Sequence, residues 1–172
     1  MAVSETRRIA QGPTRNGGGP DSEHPEGGFG ALIAAYSGAA GAFVAWRLRS
    51  RRGLPESYTA SDLALLGIAT HKASRLLSRD KVTAPIRRPF TSYEEESDLP
   101  AEVSEEPRGR GLRKAVGELL VCPYCVSQWV GTGMVAGLVA SPRVTRFVAS
   151  TLTVVTVADF LHAAYRATEE AS

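Results

Sequence analysis

The sequence predicts an all-α polytopic membrane protein with about three transmembrane helices and one further interfacial or partly inserted helix. Three observations predict it: two long runs of residues carry no charge, a third apolar run follows the second after a short turn, and most cations lie between the runs. The hydrophobic fraction of 43% is ordinary for a soluble protein, so the distribution of these residues supports the prediction. Four transmembrane helices are the alternative.

The first uncharged run, residues 28–46, predicts a transmembrane helix. A helix of this length extends about 28 Å, close to the roughly 30 Å hydrocarbon core of a bilayer. Small residues recur at Ala34, Gly38 and Gly41, a spacing that lets another helix approach closely. Residues 1–27 are rich in glycine, proline and charge, so they are predicted to form a disordered tail.

The cations after the first run set the predicted orientation. Cytoplasmic segments are enriched in Lys and Arg, so we expect the N-terminal tail outside the cell and residues 47–118 in a cytoplasmic or interfacial section. No apolar signal-peptide core precedes the first run, which is therefore expected to act as both signal and anchor. The arginines that directly follow the run are Arg47, Arg49, Arg51 and Arg52.

Residues 59–78 are the ambiguous helical element. Thr59 and Asp62 offer hydrogen-bonding side chains for a helix start. Lys72 and Arg75 then interrupt the apolar surface, and a cation costs roughly 2.5–3.5 kcal/mol at the bilayer centre on insertion scales. We therefore predict a helix that lies at the cytoplasmic interface or is inserted partway, with a fourth transmembrane helix as the alternative.

The segment between this helix and the next apolar run is polar. Residues 91–107 are predicted to be a disordered acidic loop, because their carboxylates crowd into a stretch with few apolar residues. A cation site is the alternative, but the glycine-turn spacing of a calcium loop is missing. The carboxylates are Glu94, Glu95, Glu96, Asp98, Glu102, Glu105 and Glu106.

Residues 119–165 are predicted to form a transmembrane helical hairpin. Residues 119–140 carry no charge, and their regular helix should begin near Pro123, since proline suits the first helical turn. Residues 141–143 form a tight turn, after which residues 144–165 run back. A GxxxG pair, Gly133 and Gly137, shapes one face for close helix contact.

Cys122 and Cys125 form a CPYC motif at the predicted helix start. The free N–H groups and the dipole of a helix N-terminus favour a thiolate, so a reversible thiol role is one interpretation. A zinc site needs two more ligands, which His71, His162 or a second protomer would have to supply. Structural packing of two small thiols is the other interpretation.

Asp159 and His162 are candidate polar residues inside the membrane. They lie on one helix face, since they are three residues apart. Ionisable groups inside a transmembrane helix are costly and are functional candidates, here for a proton relay or a polar contact between helices. Their position near the helix end also fits contact with headgroups or water.

The cations after the ambiguous helix predict an interface or lipid-facing surface. Anionic lipids attract such residues with about 1 kcal/mol each, and a loop that only directs membrane insertion is the alternative. The candidate residues are His71, Lys72, Arg75, Arg79, Asp80, Lys81, Arg87, Arg88, Phe90 and Trp129.

Three of these stretches together resemble the bacterial DUF1360 family. They are HKASRLLSRDKVTAPIRRPF at 71–90, EEPRG at 105–109, and CPYC at 122–125 followed by Trp129. The resemblance covers about residues 63–164 and implies a small multi-span membrane protein of uncharacterised function, with some relatives labelled as sporulation-related. It transfers no catalytic residue. It implies a shared functional surface of Arg75, Asp80, Lys81, Arg87, Pro89, Phe90, Cys122, Cys125 and Trp129.

Association is the function that these patterns favour over catalysis. We expect a non-enzymatic multi-pass protein of the bacterial cell membrane, whose partners are the lipid bilayer and, through small-residue helix faces, itself or other membrane proteins. No cofactor or metal is implied, and a net charge of +2 gives no uniformly basic surface for nucleic acid. The alternatives are a membrane thiol redox or metal-binding protein that uses Cys122 and Cys125, and a small transporter.

Overall fold

The computed structural model describes residues 26–50, 53–96 and 101–170. The predicted disordered tail therefore lies outside the described residues, except for Glu26 and Gly27, which begin the first helix. The prediction of an all-α protein is confirmed. The elements are α1 (Glu26–Arg49), α2 (Ala60–Ser78), a 3₁₀ turn (Lys81–Thr83), α3 (Ala84–Arg87), β1 (Thr91–Glu96), β2 (Val103–Pro107), α4 (Gly111–Val121), α5 (Pro123–Ala140) and α6 (Pro142–Glu170).

The helix starts follow the local chemistry of the sequence. Thr59 precedes α2, and its hydroxyl oxygen accepts a hydrogen bond from the backbone N–H of Asp62 at 3.1 Å. α5 begins at Pro123, as predicted, because proline needs no hydrogen-bond acceptor in the first turn. A single residue, Ser141, separates α5 from α6.

α2 lies at the centre of the helix bundle, between α5 and α6. Leu66 and Ala69 of α2 are buried in the same hydrophobic core as Leu138 of α5 and Ala149 of α6. This position differs from that of a separate helix at the interface, because a surface helix would bury one face against lipid and not against two partners. α2 is not among the described helices that are long and apolar enough to cross a membrane.

Ion pairs along α2 show how the helices are directed. Asp62 near the start of α2 pairs with Arg146 near the start of α6, at 2.8 Å. Farther along both helices, Lys72 pairs with Asp159, also at 2.8 Å. α2 and α6 are therefore parallel, and α5, which turns into α6 at Ser141, runs antiparallel to both.

α1 packs against α4 and α5 and runs parallel to α5. At the start of α1, Gly28 lies so close to α4 that an added Cβ atom would be 2.7 Å from the side chain of Ala115. In the middle of α1, the Tyr36 hydroxyl is 2.7 Å from the Thr132 hydroxyl of α5. The Tyr36 ring also meets the Trp129 ring edge-on, with 5.2 Å between centroids.

The bundle consequently has two unlike ends. The turn end holds the end of α1, the start of α2 and the α5–α6 turn at Ser141. The cap end holds α3, the two strands and α4, together with the start of α1 and the last part of α6. α2 leads the chain from the turn end to the cap end, where α3, the two strands and α4 follow.

The acidic segment is a β-hairpin, which corrects the predicted disordered loop over residues 91–107. β1 and β2 pair in antiparallel fashion, from Thr91 opposite Pro107 to Glu96 opposite Val103. The carboxylates were expected to be solvated, but two of them are held by arginines of the preceding helices, as described below. Residues 97–100, with Asp98, lie outside the described residues.

Backbone hydrogen bonds attach the β-hairpin to the end of α2. The N–H of Val103 donates to the carbonyl oxygen of Arg79 at 3.0 Å, and the N–H of Lys81 donates to that of Ala101 at 2.9 Å. An isolated two-stranded hairpin is marginally stable in water. Its attachment to the bundle therefore explains why these residues are ordered.

We expect Glu94→Gln to stabilise the β-hairpin at neutral pH. The negative charge of Glu106, with smaller contributions from burial and from Glu95, raises the pKa of the Glu94 carboxyl above its usual range. The protonated carboxyl is thus favoured in the folded hairpin, and the stability it contributes at low pH is lost as the pH rises through the raised pKa. Amide hydrogen exchange in β1 and β2 should be slower in the variant than in the wild type at pH 7.

The effect of Glu94→Gln should fade as the pH is lowered through the raised pKa, because the wild-type carboxyl then takes up its proton. Glu56→Gln serves as the control, since Glu56 is an exposed carboxylate before the start of α2. Equal protection of the Glu94→Gln variant and the wild type at pH 7 would contradict the expected repulsion.

Two helices of the described chain, α1 and α6, are long and apolar enough to cross a membrane. α4 and α5 pass the same criterion only together, and the chain bends by 85° between them. Length and composition thus give two membrane-crossing helices, or three if the bent pair is one span. α4 turns away from the direction of α5 at the cap end, in a segment that the sequence analysis assigned mostly to a polar loop.

Candidate functional site

A polar cavity of about 360 Å³ lies at the cap end, between the last parts of α2 and α6. The segment of Ala101 and Glu102 closes a third side, because Glu102 forms an isolated β-bridge with Asp80. The cavity brings together two groups of residues that the sequence predicted separately. The predicted residues that line it are His71, Lys72, Arg75, Asp80, Asp159 and His162.

Lys72 connects the two helices across this cavity. Its ammonium nitrogen lies 2.8 Å from the carboxylate of Asp159 on α6 and 3.7 Å from that of Asp80 after α2. The Lys72 side chain is 14% exposed, and a charge so enclosed is tolerated because it is paired. Lys72, whose charge makes insertion of α2 into a membrane costly, therefore has two carboxylate partners within the chain.

Arg75 forms a second ion pair in the cavity wall. Its guanidinium donates to the carboxylate of Glu102, whose side chain is largely buried. This contact joins α2 to the segment that leads into β2. Two cations, Lys72 and Arg75, thus pair with the three carboxylates of Glu102, Asp80 and Asp159.

Three further side chains of the cavity have no partner among the described residues: His71 on α2, and His162 and Arg166 on α6. Arg166 was missed by the sequence analysis, although its spacing of four residues from His162 places both on one helix face. The sequence places Glu102 only within the acidic segment 91–107. The unpaired groups of the cavity are therefore hydrogen-bond donors or potential donors.

Arg87 is the centre of a buried cluster behind the cavity. Its side chain is 1% exposed, and its Nε donates to the Glu105 carboxylate at 2.5 Å. Its guanidinium also donates to the carbonyl oxygens of Leu77 at 2.9 Å and Asp80 at 3.2 Å, and to the Thr83 hydroxyl at 2.7 Å. Arg87 was predicted to be part of a lipid-facing surface, but its partners hold it inside the protein.

Residues 65–165 match the model of the DUF1360 family, described as proteins of unknown function. The chain belongs to the DUF1360 family. This confirms the resemblance seen in the sequence. The matched region extends from α2 to α6 and contains the Lys72 ion pairs, the Arg87 cluster and the CPYC motif, whereas α1 lies outside it.

One curated relative of this DUF1360 chain is similar to it. It is the sporulation protein YjcA of Bacillus subtilis (strain 168), with 35% identity over 69 residues. The alignment includes 39% of this chain and 58% of the relative, so the chain spans less than two thirds of the relative's length. No solved structure matches the chain.

The CPYC motif lies at the break between α4 and α5. Cys122 precedes α5, and its Sγ accepts a hydrogen bond from the backbone N–H of Cys125 at 3.2 Å. Cys125 is exposed, and both cysteines are free thiols. His71 and His162, the suggested additional zinc ligands, line the polar cavity instead, and the described residues contain no group of three or more His, Cys, Asp or Glu that could hold a metal.

The remaining predicted surface residues of this DUF1360 protein do not form one patch. Lys81 and Arg88 are exposed beside the short α3, Arg79 is half-buried, and Phe90 is half-buried at the end of the α3 segment. Trp129 is half-buried in α5 against α1. The cavity therefore gathers part of the predicted surface, while the rest is distributed over the cap end and the α1–α5 contact.

Proposed function

We propose that this DUF1360 protein is a multi-pass protein of the bacterial cell membrane that acts by associating with a second copy through the outer face of α1. The observation that carries the proposal is that the small-residue face of α1, formed by Ala34, Gly38 and Gly41, is exposed in the described part of the chain. Association with another membrane protein through this face is the second form of the same hypothesis.

The first support is the arrangement of α1, α2, α5 and α6, which fits four helices that cross a bilayer. α2 lies alongside the α5–α6 pair, and its charges are neutralised within the bundle. Asp62 forms a two-point ion pair with Arg146, with both distances 2.8 Å, and Lys72 pairs with Asp159. Paired charges lower the cost that argued against placing α2 in the membrane.

The second support is the exposure of α1. Just 6% of its most apolar stretch is buried within the chain. Ala34, Gly38 and Gly41 are exposed, and Cβ atoms added at Gly38 or Gly41 would meet nothing within 4 Å. The opposite face of α1 is the one that contacts α5 through Tyr36.

This difference between the faces indicates how α1 would be used. Lipid tails cover any apolar helix, so exposure of leucine or valine alone would not distinguish a partner from lipid. Small residues instead allow two helix backbones to approach closely, which gains packing contacts that lipid does not supply. A small-residue face without an intramolecular neighbour therefore fits a helix of another protein molecule.

The test is self-association in liposomes. Two pools of full-length protein, labelled with donor and acceptor fluorophores, are reconstituted together, and energy transfer is measured against lipid-to-protein ratio. We expect Gly38→Leu with Gly41→Leu to lower the association constant at least about tenfold, because leucine side chains hold the backbones apart.

Ala35→Leu is the matched control, since Ala35 is exposed on α1 and lies about 100° from Ala34 and about 120° from Gly41 around the helix. It should leave energy transfer unchanged. Absence of energy transfer in the wild type, or an equal loss in the control, would refute association through this face.

A further inference from the structure

We propose that the polar cavity at the cap end binds a phosphate-bearing anion, with Arg166, His71 and His162 as the residues that contact it. This site is separate from the α1 face, and its test does not depend on self-association. The phosphate can belong to a lipid headgroup or to a free phosphate compound, and the experiment distinguishes these sources.

The cavity side chains without a partner in the described chain are of the kind that binds an anion. Its carboxylates already have cationic partners, since Lys72 bridges Asp80 and Asp159 while Arg75 holds Glu102. Arg166, His71 and His162 line the same space without a partner among the residues that the structure describes. A guanidinium is always charged and binds phosphate oxygens in a two-point geometry, and imidazole adds further N–H donors.

Side-chain contacts connect the elements that form the walls of the cavity. Lys72 joins α2 to α6, and Arg75 joins α2 to the segment before β2. Arg87, which is fully buried, fixes the turn after α2 through the carbonyl oxygens of Leu77 and Asp80. The three walls of the cavity are therefore connected by side-chain contacts.

The position of the cavity along α6 matches the edge of an apolar layer. The uncharged stretch of α6 runs from Phe147 to Ala158, and Asp159 begins its polar part. Phe160 lines the cavity and is 67% exposed, and the neighbouring Leu161 is 66% exposed. An anion with apolar chains would place its phosphate in the cavity and its chains along these exposed side chains.

The size of the cavity fits this group of ligands. Its volume of about 360 Å³ is at the lower end of the range for small-ligand sites. This is enough space for a phosphate with its glycerol or sugar substituent. A long acyl chain would have to remain outside, on the surface of α6.

The experiment titrates full-length protein in an uncharged detergent with three probes by calorimetry. The probes are dihexanoyl phosphatidylglycerol, inorganic phosphate and dihexanoylglycerol, which has the same chains without phosphate. We expect Arg166→Gln to weaken binding of the phosphate probe at least about fivefold, the effect of one cation at an anionic group. Adding His71→Gln and His162→Gln to Arg166→Gln should weaken binding of the phosphate probe further.

Arg143→Gln is the matched control, because Arg143 is an exposed arginine at the opposite end of the same helix. Circular dichroism confirms that each variant retains its helices. Tight binding of phosphatidylglycerol with weak binding of inorganic phosphate supports a lipid headgroup, and equal binding of both supports a free phosphate compound. The proposal is overturned if neither phosphate probe binds, or if dihexanoylglycerol binds as tightly as dihexanoyl phosphatidylglycerol. It is also overturned if Arg166→Gln and the control Arg143→Gln weaken binding equally.

Discussion

Arg87→Met is expected to lower the free energy of unfolding by about 3–5 kcal/mol, the usual cost of removing one partner from a buried ion pair. The Glu105 carboxylate is 6% exposed and would lose its cation without gaining access to water. The carbonyl oxygens of Leu77 and Asp80 would lose a donor at the same time. For a protein of this size the loss corresponds to a decrease in unfolding temperature on the order of 10 °C.

Thermal unfolding of the purified protein in detergent measures this effect. Arg88→Met is the control, because Arg88 is the adjacent arginine and is exposed; its unfolding temperature should remain close to that of the wild type. A double variant, Arg87→Met with Glu105→Gln, should recover part of the stability, since it removes the unpaired charge. Equal unfolding temperatures of the Arg87 and Arg88 variants would show that the buried cluster does not stabilise the fold.

Gly117→Ala should be the second strongly destabilising change. A Cβ atom at this position would lie 2.5 Å from the carbonyl oxygen of Phe90 and 3.1 Å from the Cβ of Pro107. The first of these neighbours is backbone, so α4 would have to move away from the β-hairpin and from the α3 segment. Overpacking of this kind costs about 1–3 kcal/mol and sometimes more.

The control for Gly117→Ala is Gly133→Ala in α5, where an added Cβ atom would meet nothing within 4 Å. Alanine has a higher helix propensity than glycine by about 1 kcal/mol, so this variant should be neutral or slightly stabilised. Both variants are compared by thermal unfolding and by proteolysis at the β-hairpin. A stable Gly117→Ala protein would mean that α4 can shift at little cost.

The helices were predictable from the sequence because each has a local cause. Uncharged runs of sufficient length indicate α1 and α5, and an apolar run after a short turn indicates α6. Thr59 and Pro123 indicate two helix starts that the structure confirms. These signals act within one turn of helix or within one apolar segment. They require no knowledge of which elements pack together.

The position of α2 and the β-hairpin were not predictable in the same way. In the sequence, the charge of Lys72 indicates a cost of membrane insertion, because its partner Asp159 lies far along the chain on α6. Composition predicts solvated acidic residues, because it does not reveal that Arg75 and Arg87 pair with Glu102 and Glu105. In both cases the deciding contact joins residues far apart in the sequence, which periodicity and composition do not report.

The candidate site was predicted in pieces. His71, Lys72, Arg75 and Asp80 were grouped as an interface, and Asp159 with His162 as intramembrane polar residues, but their convergence in one cavity required the parallel packing of α2 and α6. Arg87 was selected by sequence for exposure and is instead buried. An arginine between prolines in a polar segment gives no local sign of its burial.

The pairing of α2 with α6 also dictates an order of assembly during synthesis. Asp62 can pair with Arg146 only after the 84 residues that lead to it have been synthesised. Lys72 likewise can pair with Asp159 only after α6 has been made. Until α6 leaves the ribosome, Asp62 lacks its cation and Lys72 lacks one of its two carboxylate partners. In the proposed four-helix arrangement, α2 is then a poor candidate for release into lipid. We therefore expect α2 to be the helix whose insertion is completed last, and a nascent chain stopped before α6 to retain α2 in an aqueous or translocon-bound state.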